Sequence, residues 1–279
     1  MNTIAVSDAE KRNRGLSPEN LMRAVAAVNE DGYVVLTGVV DTAHLDVLRE
    51  RMMADLETIL AGADVPFNFN TGNVQQDPPP FAPYLFADIL LNDIVIGVTK
   101  EILGPGLKNT FYSGNTALPH GTRQPVHPDA GHLWSGLAHA TPAHNLVINV
   151  PVVDMSPENG ATEIWPGTHR DTTYAIHEGS VPVSEALLDK YRSAGVPLQP
   201  AVARGGVIIR DMRMWHAGMP NHTEVPRPMI AMVHATSWWT EADPIIAPRS
   251  SEPFFRHPLL KTVVRYVDGD VDHTHAVRP

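Results

Sequence analysis

The sequence predicts a mainly β protein with flanking helices: a cupin-like jelly-roll core carrying an N-terminal helical layer. Two observations predict it. Helical periodicity is concentrated before Leu103, and from Asn109 onward glycine and proline cut the chain into short apolar, β-branched runs. No internal repeat or long linker interrupts this order. Residues 17–279 are therefore expected to form a single domain, and the polar, mixed-charge residues 1–16 a flexible N-terminus.

The elements follow in order. Ser17-Pro18-Glu19 has the form of an N-cap, a first-turn proline and a carboxylate at the positive end of a helix dipole. Leu21, Val25 and Val28 continue at helical spacing, and Gly32 ends that helix. Tyr33 to Val40 is apolar and β-branched, hence a strand. Leu45, Leu48, Met52, Leu56 and Ile59 predict a helix after Asp41, and another runs from Asn92 to Leu103 before Gly104 and Pro105. Strands are predicted at Thr110–Tyr112, Leu146–Val153, Val207–Ile209 and Met229–His234, with one late helix from Glu185 to Ala194 capped by Ser184 and ended by Gly195. The prolines of Asp77 to Pro83 exclude a central strand and predict a loop near the barrel mouth.

Composition narrows the function. Hydrophobic residues make up 43% and charged residues 19%, enough to bury a large core. The formal charge is −10, and the five lysines, Lys11, Lys100, Lys108, Lys190 and Lys261, form no basic run. Nucleic acid and anionic membranes are thus poor partners, and a small-molecule substrate is expected. With no cysteine, disulfides and thiolate chemistry are excluded, so any metal must take nitrogen and oxygen ligands. No leader-like apolar segment or long apolar stretch is evident, so the expected location is cytoplasmic.

His127, Asp129 and the distant His216 are the residues with the most chemical content. On a strand, positions i and i+2 share a face, so His127 and Asp129 can reach one ion, and His216, just past the Val207–Ile209 strand, can return to it. Two imidazoles and one carboxylate cover one face of a divalent iron and leave the other open. Fourteen histidines make chance His-x-Asp pairs common, so this set alone leaves a structural reading open. Asp270, Asp272, His273 and His275 look equally metal-like but lie beside the terminus and are expected to be solvated surface. His132, His139 and His144 are expected to be structural or to support the metal ligands from behind. Arg227, at the edge of an apolar strand, can clamp a carboxylate through two N–H groups, with a plain surface charge as the structural alternative.

The segments Gln124-Pro-Val-His127-Pro-Asp129, Glu158-Asn-Gly-Ala-Thr-Glu-Ile-Trp-Pro-Gly-Thr-His169, His216-Ala-Gly-Met-Pro-Asn221 and Arg227-Pro resemble the phytanoyl-CoA dioxygenase family over nearly the whole chain. Val74 to Pro79, Tyr112 to Asn115 and His132 to Trp134 resemble its kanamycin B dioxygenase-like, aminoglycoside-oxidising members. The resemblance implies a double-stranded β-helix and an oxygenase using Fe(II), 2-oxoglutarate and O2. It further implies that His127, Asp129 and His216 ligate iron, that Arg227 binds the distal carboxylate of 2-oxoglutarate, and that Gln124 and Thr162 contact the co-substrate. Gly218 stands where many relatives carry serine. Retention of Asp129 favours hydroxylation or oxidation over halogenation.

Gln75, Gln76, Asp77 and Trp134 are expected to line the substrate pocket, which would suit an amine-bearing metabolite such as an aminosugar. Asp77 capping a turn and Trp134 filling core remain the structural alternatives. Two other functions stay open at this level: a metal-binding cupin that is an isomerase or binding protein, and an acyl-CoA hydroxylase, which the scarcity of lysine disfavours.

Overall fold

The computed structural model describes residues 2–175, 181–240 and 243–274. The first sixteen residues, expected to be flexible, instead hold two elements. β1 (Thr3–Ala5) and α1 (Asp8–Asn13) precede α2 (Pro18–Asp31) and β2 (Tyr33–Thr37), and β1 runs parallel to β2 with Ile4 opposite Leu36. Ile4 and Val6 are buried. Ser7 and Glu10 form a capping box, and Glu10 also accepts from the Ser17 N–H and the Asn20 amide, tying α1 to the start of α2. Those bonds, from the Ser17 and then the Ser7 backbone first, hold the Glu10 carboxyl down to about 2. A polar composition concealed this segment because its order comes from caps and two apolar anchors.

The helical layer forms where the periodicity places it. Ser17 Oγ accepts from the Asn20 N–H, Pro18 occupies the first turn, and the Gly32 N–H closes α2 on the Val28 carbonyl. α3 (Thr42–Ala61) is capped by Asp41 and buries Leu45, Leu48, Met52, Leu56 and Ile59. After β3 (Asn73–Gln75) and the short α4 (Ala87–Leu90), α5 (Asp93–Leu103) is capped by Asn92, whose Oδ1 takes the Ile94 and Val95 N–H groups.

The strands follow: β4 (Leu107–Ala117), β5 (Asn145–Pro151), β6 (Glu163–Ile164), then α6 (Glu185–Arg192), β7 (Val207–Asp211), β8 (His216–Ala217), β9 (Arg227–Ala235), β10 (Ile245–Pro248), β11 (Leu260–Thr262) and β12 (Val264–Val267). The main sheet has eight strands, ordered β1-β2-β7-β5-β9-β4-β11 with β3 also on β4. Alternation along its strands divides the residues cleanly. Leu146, Ile148 and Val150 of β5, Val207 and Ile209 of β7, and Ile230 and Met232 of β9 face α2, α3 and α5 and form the main core. Each such side chain, fully buried, stabilises the fold by roughly 1.5–3 kcal/mol. The opposite face, including Val147, Asn149, Arg210, Arg227, Ala231 and Val233, looks into a cavity.

The second layer of the jelly roll is fragmentary. β6 pairs with β8, and single bridges join His127 to His216, Met155 to Val202, Ile164 to Leu198 and Asn159 to Asn221. Pro125, Pro128, Pro157, Pro166 and Pro220 recur through these segments and supply no ladder N–H, so pairing stays local.

Near the C-terminal end, Asp270 and Asp272 are exposed, as expected. His273 is not: it is buried, with Nε2 2.8 Å from Asp55 Oδ2 and its ring edge-on to Phe81. The solvated-surface expectation fails there because α3 presents a buried carboxylate that the local sequence does not reveal. His275 lies outside the described residues. Among the described residues no helix is long and apolar enough to cross a membrane.

Candidate active site

His127 and Asp129 do not sit on a regular strand. One antiparallel bridge, with reciprocal N–H···O bonds of 3.0 Å, clamps the His127 backbone to that of His216 in β8. The Asp129 N–H is held 3.2 Å from the Met212 carbonyl in the β7–β8 turn. Pro128 between the two predicted ligands, and Pro125 before them, prevent a continuous ladder, so convergence rests on these few backbone bonds.

The side chains converge. Asp129 Oδ1 lies 3.4 Å from His216 Nε2 and 3.9 Å from His127 Nε2, and one ligand atom from each residue falls within 4.8 Å of the others. His127 Nδ1 is 2.8 Å from the Pro125 carbonyl and His216 Nδ1 3.1 Å from the Met214 carbonyl. A carbonyl can only accept, so both rings carry a proton on Nδ1, which leaves Nε2 as the atom facing inward to a metal. Burial, aided by His216, pushes His127 down to about 4, so it is neutral at pH 7. Burial works against the Asp129 charge, but His216 and Arg210 outweigh it and hold that carboxyl well below the usual range. Among the described residues this is the one His/Asp/Glu group whose donors could hold a metal ion, and its donor set suits a divalent transition metal.

The triad opens on a cavity of about 250 Å³ lined also by Gln75, Asn115, Gln124, Asn149, Thr162, Arg210 and Arg227. Arg227, the first residue of β9, is 1% exposed. Its Nη2 donates to the Gly160 carbonyl at 2.7 Å, whereas Nε and Nη1, both buried, have no partner among the described residues. Burial lowers its guanidinium to about 10, still charged at neutral pH. A buried cation with two unused donors fits a carboxylate of an entering ligand. Gly160 holds its carbonyl there at φ +80°, where a Cβ would come within 2.7 Å of the Met219 oxygen.

The other expected contacts divide. Thr162 lines the cavity. Gln124 lines it too, but its amide is taken by the protein: Oε1 accepts from the Gly218 N–H at 2.7 Å and Nε2 donates to the Asn68 carbonyl at 3.0 Å. That bond explains the glycine. A Cβ at position 218 would lie 2.7 Å from Gln124 Oε1 and 2.8 Å from Asn73 Nδ2, leaving no room for serine without moving Gln124.

Gln75 lines the cavity and bonds Ser113 Oγ at 2.6 Å, while Ser113 donates in turn to Asp77. Asp77 is outside the lining. Gln76 points the other way, as a neighbour on an extended chain must, and is interior: its amide bonds the Met52 carbonyl and the Thr116 hydroxyl. Trp134 is 59% exposed on the surface and neither fills core nor lines the cavity. His132 is structural, as expected, with Nε2 2.9 Å from the Asp171 carbonyl and Nδ1 facing Arg213.

Sequence reasoning missed Arg210. It donates from Nη2 to Asp129 Oδ2 at 2.6 Å and from Nε to Asn149 Oδ1 at 3.2 Å. A signal existed: in Val207-Ile-Ile-Arg210-Asp211 an apolar run ends in two charges, and Arg210 falls on the face opposite Val207 and Ile209. Phe69 was also missed. It adopts φ +65° and lays its ring 4.2 Å from that of His127.

A double-stranded β-helix whose cavity carries two histidines and one carboxylate defines a protein of the non-haem metal type. The chain belongs to the phytanoyl-CoA dioxygenase (PhyH) family, which it matches over residues 28–229. It is 24% identical over 221 residues to dioxygenase af480 of Aspergillus fumigatus, a match spanning 74% of this chain and 63% of that one. The fold is similar to that of HygX from Streptomyces hygroscopicus, solved with nickel, 2-oxoglutarate and hygromycin B, at TM-score 0.57 and 17% identity over 91% of this chain and 98% of that one. AviO1 from Streptomyces viridochromogenes gives TM-score 0.58 and 20% identity, covering 82% and 100% of the two chains.

Proposed function

We propose that the protein is an Fe(II)- and 2-oxoglutarate-dependent dioxygenase that oxidises a small-molecule secondary metabolite and releases succinate and CO2. One observation carries this reading: a buried guanidinium with two unpaired nitrogens, Arg227, shares a cavity with a His-Asp-His donor set. In this reading His127, Asp129 and His216 hold the iron, and Arg227 takes the distal carboxylate of 2-oxoglutarate. Bound iron and co-substrate supply the means of activating oxygen for attack on a substrate C–H bond. The protein's own share is placement and exclusion of water. Gln124 braces the Gly218 backbone against the Asn68 loop, and Thr162 and Met229 wall the co-substrate end. Phe69 covers the His127 ring.

A cupin isomerase or simple binding protein would leave the Arg227 donors unused at a cost of a few kcal/mol. Family membership and the 2-oxoglutarate found in HygX support the same choice. The hygromycin B bound to HygX supports a secondary metabolite as substrate class. The amine-bearing substrate expected from Asp77 has no free carboxylate in the lining, where Asp129 is engaged by Arg210.

Anaerobic titration of the Fe(II) protein with 2-oxoglutarate, followed by its visible charge-transfer absorption, tests the assignment. A saturable band is expected, with metabolite-stimulated succinate release once air is admitted. No band in the wild-type protein would remove the reading.

A further inference from the structure

Arg210 has a donor that nothing among the described residues uses. Its side chain is buried, 6% exposed, on the cavity face of β7. Nη2 is committed to Asp129 and Nε to Asn149, both in the lining, but Nη1 is buried without a partner. Two fixed bonds leave this guanidinium little freedom to swing out to water, so its third nitrogen stays buried beside the cavity that the residue lines.

The charge of the lining points to what Nη1 meets. Asp129, Arg210 and Arg227 are the charged side chains that line the cavity. On the dioxygenase reading, on which this inference rests, a divalent iron and a dianionic co-substrate join them, with both histidines neutral as ligands. Those charges leave one positive charge over. A buried uncompensated charge costs several kcal/mol, so the loaded cavity favours one more anion.

The co-substrate is not that anion, because its two carboxylates already have partners in the metal and Arg227. The strand register separates the two arginines as well. Arg210 lies opposite Val147 and Val147 opposite Val233, six residues along β9 from Arg227, or about 20 Å of strand. Asp77, bound by Ser113 beyond Gln75, stands outside the lining and does not supply the charge.

We propose that Arg210 and Asn149 form a substrate-anchoring subsite beside the metal, and that the substrate presents a carboxylate there. The anchored group sits next to the carboxylate ligand, so the oxidised carbon lies close to the acid-bearing end of the substrate. Arg210 thereby links specificity to metal geometry, since the same guanidinium fixes Asp129 Oδ2 and leaves Oδ1 toward the histidines.

Acetate and its neutral counterpart acetamide are the probes, added to the anaerobic Fe(II)·2-oxoglutarate protein while the charge-transfer band is followed. Acetate is expected to shift the wild-type band saturably and acetamide to leave it unchanged. Arg210→Met is expected to weaken acetate at least about tenfold, and more than it weakens 2-oxoglutarate in the same titration, which reads any disturbance of the Asp129 ligand separately. Asn149→Leu, which keeps the Arg210–Asp129 pair, is expected to weaken acetate several-fold and provides the same reading should Arg210→Met fail to fold. The proposal is overturned if acetate has no saturable effect on the wild type, if acetamide acts equally, if both variants respond like the wild type, or if acetate competes with 2-oxoglutarate. A wild-type protein with no band before acetate is added would instead remove the dioxygenase reading itself.

Discussion

At the scale of single residues, the site is built by side chains whose partners are spent in a fixed order. His127 and His216 spend Nδ1 on carbonyls, Asp129 spends Oδ2 on Arg210, and what remains converges on one point. Alanine at His127, Asp129 or His216 is expected to abolish tight iron binding, measured by metal content after dialysis, with the circular dichroism spectrum unchanged; a variant that retains stoichiometric iron would remove that residue from the ligand set. Arg227 is the reverse case, a cation with donors unspent. Arg227→Leu is expected to cost on the order of 2–5 kcal/mol of 2-oxoglutarate binding, because the co-substrate carboxylate would enter a buried site unpaired. An unchanged titration midpoint in that variant would exclude the clamp. Gly218→Ser is expected to destabilise the fold by roughly 1–3 kcal/mol in a denaturant titration, since its Cβ meets Gln124 and Asn73 inside 3 Å.

Among the elements, the helices carry their own start signals and the strands largely do not. Ser17, Asp41 and Asn92 each accept a first-turn N–H, as their positions in the sequence foretell. The α6 helix forms behind Ser184 but without the side-chain cap bond expected there, and it closes at Arg192, before Gly195. The α1 capping box links pH to stability. The Glu10 carboxyl lies at about 2 in the folded protein against 4.5 as an ordinary group, so its contribution is complete above pH 4.5 and is lost as pH falls toward 2. Glu10→Gln is expected to cost about 1 kcal/mol at neutral pH, as a lost cap does, and the gap to wild type is expected to close between pH 4.5 and 2. Denaturant midpoints across that range measure it; a gap independent of pH would assign the loss to something other than the carboxylate.

Over the whole molecule, segments distant in the chain meet at both ends of the sheet. β1 joins the sheet edge beside β2, and β11 joins the other edge beside β4. The C-terminal segment closes over α3, where His273 bonds Asp55, whose other oxygen is held by Arg51 at 2.8 Å. Arg51 lies over the rings of Phe81 and Tyr84, so this clasp also fastens the proline-rich loop. Breaking one bond of such a buried network leaves Asp55 short of a partner. His273→Ala is therefore expected to cost roughly 1–3 kcal/mol and to lower the melting temperature by several degrees. Scanning calorimetry checks it, and an unchanged melting temperature would show that the segment adds nothing.

The sequence by itself determined the chemistry of the donor set, a helical layer ahead of most strands, the starts of α2, α3 and α5 and the cavity arginine Arg227. Each of these is written within a few residues, as a cap, a period or a spaced motif. Only the tertiary structure decided that Gln75 faces the cavity while Gln76 is interior, that Trp134 is on the surface, that Gln124 is used up by Gly218 and Asn68, and that Arg210 stands beside Asp129. Those outcomes depend on strand register and on which loops cross the sheet. Register is fixed by pairings between residues far apart in the chain, so no local pattern contains it.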